Sequence, residues 1–190
     1  MAKIILIGGG SGSGKTYVLS RVIELLGSEN LTHISIDDYY KKLDMPFEER
    51  RKVNFDHPKA FDWPLLQDHL EKLKNDKTIS IIPKKLVIVE GIMALVNKKV
   101  RDLSDLNVFI DATRENRLVR RIERDQKERA RSYESIINQY FSTVLPMYEE
   151  IIGPSKYYAD IIINNDRFVN NHSIEVLVSI LKSYLKESNN

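Results

Sequence analysis

Residues 4–16 read Ile-Ile-Leu-Ile-Gly-Gly-Gly-Ser-Gly-Ser-Gly-Lys-Thr. Four aliphatic residues predict a short buried strand, and the glycines behind it predict a backbone that must curl where side chains would collide. Gly9-x-x-x-x-Gly14-Lys15-Thr16 has the spacing of a phosphate-binding loop between a strand and a helix. In such a loop the amides of Gly9, Gly10, Ser11, Gly12, Ser13 and Gly14 turn inward, and the positive end of the following helix adds to them. Lys15 would bridge the β- and γ-phosphates, and the Thr16 hydroxyl would take a place on Mg²⁺. The competing reading, a glycine-rich turn that binds nothing, does not account for Lys-Thr standing in register at the helix start.

The rest of the chain continues the rhythm that this stretch begins. Strands are expected at 3–7, 33–36, 86–89, 108–110 and 161–163, and none alternates cleanly, as befits strands covered on both faces. Helices are expected at 15–26, 65–74, 115–127, 135–151 and 174–186. This order predicts an α/β fold: one domain of the P-loop NTPase type over residues 1–190, its parallel sheet sandwiched by helices. The stretch 44–64 holds three prolines and many charges, and reads as an irregular excursion over the surface.

Composition bounds the function. The 190 residues carry Lys+Arg 29 against Asp+Glu 27, a formal charge of +2, which argues against a nucleic-acid coat or a membrane-surface protein. With no cysteine, disulfides, thiolate zinc sites and a cysteine nucleophile are excluded. No apolar run has the length of a signal peptide core or a membrane span, so a cytoplasmic protein is expected.

A phosphate cradle does not by itself separate a kinase from a GTPase, a motor or a switch. Glu90 closes the apolar strand 86–90, where the carboxyl ends of parallel strands converge, and could join Thr16 at a metal; it could equally cap the turn at Gly91. Asp37 and Asp38 follow the second strand. An alcohol kinase needs a carboxylate there to orient a hydroxyl and take its proton, whereas a turn or cap needs only the same residue type. Residues 114–132 hold Arg114, Arg117, Arg120, Arg121, Arg124, Arg129 and Arg131 with a single lysine. On a helix Arg117, Arg121 and Arg124 share a face, partly neutralised by Glu115, Glu123, Asp125 and Glu128. A solvated salt-bridged helix is one reading, and a guanidinium cover for phosphate is the other.

The segments GGGSGSGKT, SIDDYYK, NFDHPKAFD, VIVEGIMAL, RRIERDQKERARS, QYFSTVLPMYEE and PSKYYADIII together resemble the uridine/cytidine kinase family of P-loop kinases, in the same order and over nearly the whole chain. The resemblance implies transfer of phosphate from ATP, or GTP, with Mg²⁺, to the 5'-hydroxyl of a ribonucleoside. It implies Asp37 as the catalytic aspartate and a metal neighbour, with Lys15, Arg124 and Arg129 beside it in catalysis. Tyr40, Phe55, Asp56, Arg121, Arg131 and Gln139 would meet the nucleoside, Asp56 receiving the ribose hydroxyls, and Thr16 and Glu90 would form the metal site. An arginine-rich helical lid would span about 114–135, and assembly as a homotetramer is implied as well. Two departures stand out. Family members carry a base-contacting hairpin before the acidic strand, but here residues 79–85 run directly into Leu86; and Ala130 stands where glycine is common. The missing hairpin leaves room for another ribosyl acceptor, such as nicotinamide riboside. A non-catalytic nucleotide-binding regulator is the rival from another class, and it would have no need of Asp37, Asp56 and the lid arginines.

Overall fold

The computed structural model describes residues 1–42, 53–166 and 172–187. Five strands, β1 (Lys3–Gly8), β2 (Leu31–Ser35), β3 (Leu86–Glu90), β4 (Leu106–Asp111) and β5 (Ile161–Asn164), form one parallel sheet in the order β2-β3-β1-β4-β5. The α/β class expected from the sequence is the one observed.

The unbroken apolar runs have a direct cause. Within β1, Ile4 and Leu6 enter one core with Val87, Val89 and Phe109, while Ile5 and Ile7 enter another with Ile88, Val108 and Ile110. Helix α2 (Trp63–Lys74) contributes Leu66, Leu70 and Leu73 to the first core. Helices α1 (Lys15–Leu26) and α6 (His172–Glu187) supply Val18, Leu19, Val22, Ile174, Leu177 and Leu181 to the second. A side chain pointing to either face is therefore buried, each large one contributing about 1.5–3 kcal/mol, and the period of two disappears from the sequence.

Elsewhere the structure adjusts the expected elements. The second strand begins at Leu31 and ends at Ser35, because Ile36–Tyr39 tighten into a 3-10 turn whose first N–H bonds reach the Ser35 hydroxyl, Asp37 N to Oγ at 3.3 Å. A short helix that the sequence reading did not include, α3 (Lys98–Leu103), is capped by the Asn97 side chain accepting from Val100 N at 3.2 Å. Helix α4 (Arg114–Arg129) is followed by α5 (Tyr133–Gln139), which begins at an N-cap on Ser132. The single helix expected over 135–151 is instead interrupted twice: Tyr140–Val144 and Tyr148–Ile152 are π-helical, on either side of an α-helical turn, Leu145–Met147. Pro146 lacks the N–H that an α-helix would donate to Ser142, and the first wide ring adjoins it, Leu145 N donating to Tyr140 O; the second is closed by Gly153 N to Tyr148 O at 2.7 Å.

Of the expected surface excursion, residues 44–52 lie outside the described residues. Its second part is held by a small antiparallel contact between Tyr40 and Phe61, with Lys41 N to Ala60 O and Asp62 N to Tyr39 O both 2.8 Å. Residues 75–85 contain no strand, in keeping with the absent hairpin; Thr32 Oγ1 donates to Ile82 O and accepts from Lys84 N, each at 3.0 Å, which ties this segment to β2. Among the described residues no helix is long and apolar enough to cross a membrane.

Gly12 shows why glycine is needed in the loop after β1. Its φ is +77°, and an added Cβ would sit 2.2 Å from the Arg117 carbonyl oxygen. Gly12→Ala should therefore destabilise the fold: the left-handed strain alone costs about 1–2 kcal/mol, a loss of roughly 2–8 °C in Tm for a chain of this size. Calorimetry of the variant checks this, and an unchanged Tm would contradict it.

Candidate active site

All the candidate elements meet at the carboxyl edge of the sheet. Gly8 ends β1, Ser35 ends β2 and Glu90 ends β3, with Ile7 and Ser35 both in register with Glu90. This is the edge at which open parallel sheets receive ligands. A cleft of about 550 Å³ lies over it, a size suited to a small molecule.

The loop from Gly9 to Gly14 wraps the entry to α1, and Gly14, at φ 91°, stands at the helix N-cap. Lys15 is buried, and its Nζ donates to Gly9 O at 3.0 Å and Gly10 O at 3.1 Å. Burial lowers its pKa, while the nearby carboxylates of Glu90 and Asp37 oppose that shift. The loop is braced from outside: Asn165 Nδ2 donates to Ser13 O at 2.9 Å, and Arg121 Nη1 to Ser11 Oγ at 2.7 Å. Arg117 belongs to this bracing and not to the cleft. Its guanidinium lies 3.4 Å from the Tyr148 ring centroid and its Nε donates to Ala112 O at 3.2 Å. The face shared by Arg117, Arg121 and Arg124 thus splits: the first supports the loop, and the other two line the cleft.

Asp37 lies exposed in the turn after β2, beside Tyr40. Burial and the nearby Asp37 and Asp56 raise the Tyr40 pKa, so the phenol stays protonated. Asp56 is fixed by its own N–H, which donates to Asn54 Oδ1 at 3.0 Å. Burial raises the Asp56 pKa, Arg121 opposes that shift and Asp37 adds to it, so these three groups share one field. Phe55 packs edge-on against Tyr40 at 5.2 Å between centroids, and Tyr40 lies over Phe61 at 4.4 Å. Phe55 remains 38% exposed, an apolar face on the cleft.

The arginines converge on a residue that the sequence reading treated only as a neutralising charge. Asp125 is fully buried and pairs with Arg121, Arg124, Arg129 and Arg131 at 3.7, 2.7, 3.3 and 3.6 Å. Its place four residues after Arg121 and four before Arg129 was the available signal. Gln139, at the end of α5, accepts on Oε1 from Arg121 Nη2 at 2.9 Å and from Arg131 Nη1. Ala130 caps α4 in the left-handed conformation, φ 49°, where glycine is the usual residue.

Of the residues singled out in the sequence, Ser11, Lys15, Thr16, Asp37, Tyr40, Phe55, Asp56, Glu90, Arg121, Arg124, Arg129, Arg131 and Gln139 all line this cleft. Ser35, Gly91, Ile92 and Glu128 line it as well, and none of them is among the site residues expected from the sequence. Asp38 is exposed beside it.

A parallel sheet carrying a phosphate loop, a strand-end carboxylate and an arginine-rich helical cover defines a P-loop protein of the kinase type. The chain belongs to the phosphoribulokinase / uridine kinase family, whose model matches residues 4–82 and 76–171. It is 42% identical over 202 positions to a uridine kinase of Ligilactobacillus salivarius, covering 97% of this chain and 94% of that one. It is 44% identical over 178 positions to a uridine kinase of Staphylococcus aureus, covering 84% and 86%. The 202 aligned positions exceed the 190 residues of this chain, so the first relative carries residues with no counterpart here. Among solved structures, a protein from Silicibacter sp. TM1040 has the same fold with a TM-score of 0.63 at 16% identity, over 85% of this chain and 89% of that one. A shikimate kinase from Bacteroides thetaiotaomicron matches over 97% and 98% with a TM-score of 0.54 at 19% identity.

Proposed function

We propose that the protein transfers the γ-phosphoryl group of ATP, or GTP, to the 5'-hydroxyl of uridine or cytidine. The observation that carries this reading is a single cleft with two chemically distinct ends. Ser11, Lys15 and Thr16 suit a triphosphate at one end, and Asp56, Tyr40 and Phe55 suit a nucleoside at the other, with Asp37 in the charge field of both Lys15 and Asp56.

In this mechanism Asp37 accepts the proton of the 5'-hydroxyl as its oxygen forms a bond to the γ-phosphorus and the bond to the β-phosphate oxygen breaks. Lys15, Arg124 and Arg129 offset charge that moves onto the bridging and terminal oxygens. Asp56, aimed by the Asn54 turn, receives the ribose hydroxyls. Phe55 offers the base an apolar face, and Arg121, Arg131 and Gln139 close the acceptor end. The pairing of a hydroxyl and two carboxylates, Thr16, Glu90 and Asp37, at the mouth of the phosphate loop fits a hard divalent cation that keeps water and phosphate ligands. Mg²⁺ bound there would neutralise phosphate charge.

ADP release with Mg-ATP across uridine, cytidine, adenosine, guanosine, nicotinamide riboside and no acceptor tests the reading. Turnover on uridine or cytidine supports it; turnover on none of the acceptors overturns it. The strandless segment 75–85 favours one second reading, in which a different ribosyl compound such as nicotinamide riboside is the acceptor, and turnover confined to that compound would establish it.

Asp56 supplies a separate test. Asp56→Asn should raise the acceptor KM by roughly 10–100-fold, the loss of charge-assisted hydrogen bonds worth about 1.5–3 kcal/mol. The same variant should melt at a higher temperature at pH 8. With its folded-state pKa raised above the ordinary 3.8, the wild-type carboxyl stabilises the fold only when protonated, and that contribution is lost as pH rises. The Tm difference should shrink as pH falls toward 3.8. A lower Tm for Asp56→Asn at pH 8 would contradict this account.

A further inference from the structure

The buried carboxylate at the centre of the arginine helix divides its two oxygens between the two ends of the cleft. Oδ1 of Asp125 accepts from Arg124 Nε at 2.9 Å, and Arg124 Nη2 and Arg129 Nη1 lie 2.7 and 3.3 Å from it. Oδ2 faces Arg121 Nη2 at 3.7 Å and Arg131 Nη1 at 3.6 Å, with no hydrogen bond made to it. The Oδ1 pair comprises the arginines placed above on the transferring phosphate. The Oδ2 pair comprises those that hold Gln139 at the acceptor end. The main chain of the same residue ties the end of the helix, its carbonyl accepting from the N–H groups of Ala130 and Arg131.

We propose that Asp125 is a positioning residue, a single buried counter-ion that couples the donor and acceptor ends of the cleft. The inference rests on the kinase reading above. One carboxylate shared by four guanidiniums cannot hold all of them equally: when phosphate draws Arg124 and Arg129 away from Oδ1, its charge is left to Arg121 and Arg131. Those two then tighten on Oδ2, where the ion pairs are long and no hydrogen bond is yet made. They carry Gln139 with them, and the acceptor end closes. Occupancy of one end thereby raises affinity at the other, and the effect is reciprocal by linkage. Burial shields the shared charge, so the coupling persists in salt.

The test is calorimetric titration of a non-hydrolysable ATP analogue into the full protein, with and without a saturating nucleoside, for wild type, Asp125→Asn and Asp125→Glu. The wild type should bind the analogue at least about fivefold more tightly with nucleoside present, and should keep that ratio in 0.5 M salt. In Asp125→Asn the ratio should collapse toward one, kcat should fall tenfold or more, and the analogue should still bind. Asp125→Glu keeps the charge but displaces both oxygens, and should fold with a reduced ratio. No synergy in the wild type, or a wild-type ratio in either variant, overturns the proposal. An Asp125→Asn protein that folds and binds with wild-type coupling but a lower Tm would show a structural role only. If Asp125→Asn does not fold, the wild-type ratio in salt and the Asp125→Glu ratio decide. Failure of the kinase reading is told apart by the acceptor panel: wild type that binds the analogue but turns over no nucleoside removes the proposed function first.

Discussion

Asp37→Asn should lower kcat by about 10²–10⁴-fold, the range supplied by a positioned general base, while binding of metal-free ATP stays within about twofold because the phosphate loop is untouched. The residue lies in the cleft and is not spent on the local turn. It makes no capping bond of its own to the following turn; that role belongs to Ser35, whose hydroxyl accepts from the Asp37 N–H. Its carboxylate lies exposed at the cleft, beside Tyr40 and in the charge field of Lys15. Asparagine keeps the shape and the acceptor oxygen but cannot take a proton. Single-turnover phosphoryl transfer checks the prediction, and a wild-type rate would remove Asp37 from the chemistry.

Lys15→Met should reduce kcat/KM for ATP by about 10²–10³-fold, the cost of losing one preorganised charge at a developing anion. Methionine preserves the apolar stem, so the loss is electrostatic and the core around α1 stays filled. Stability should move the other way. Burial lowers the Lys15 pKa below its ordinary 10.5, so the folded state holds this proton less tightly than the unfolded chain. The ammonium is thus a cost at neutral pH, one that relaxes as pH rises toward 10.5. Lys15→Met should have the higher Tm at pH 7 and lose part of that advantage at pH 10. The two bonds from Nζ to Gly9 O and Gly10 O set the counterweight. A lower Tm for Lys15→Met at pH 7 would contradict this account and mark Lys15 as a strut of the loop.

The fold was legible to the extent that local pattern and global packing agree. The run Ile4-Ile5-Leu6-Ile7 followed by the glycine loop, and four further aliphatic stretches, suffice to specify a parallel sheet, because only a strand buried on both faces dispenses with alternation. Lys15 and Thr16 are similarly local, since the motif that names them also builds their surroundings. The elements misjudged from sequence are those decided by one residue's hydrogen bonding. Pro146, which cannot donate to Ser142, adjoins the first π-helical segment of what reads as a continuous helix, and the Asn97 cap stabilised a six-residue helix too short to show a period.

What the sequence by itself determined, then, is the phosphate loop, the order of strands and helices, and the carboxylates at strand ends, all set by neighbours within a few residues. Only the tertiary structure decided which arginines serve the cleft. Arg117 and Arg121 are one helical turn apart and equally buried, yet one stacks under the loop on Tyr148 and the other reaches Ser11 and Gln139. The same holds for Asp125, whose spacing from the arginines is compatible with an ordinary surface ion pair. It becomes a shared counter-ion because Arg121 and Arg131, themselves held by Ser11 and Gln139, turn toward it, and a charge removed from water must find its partners within the protein.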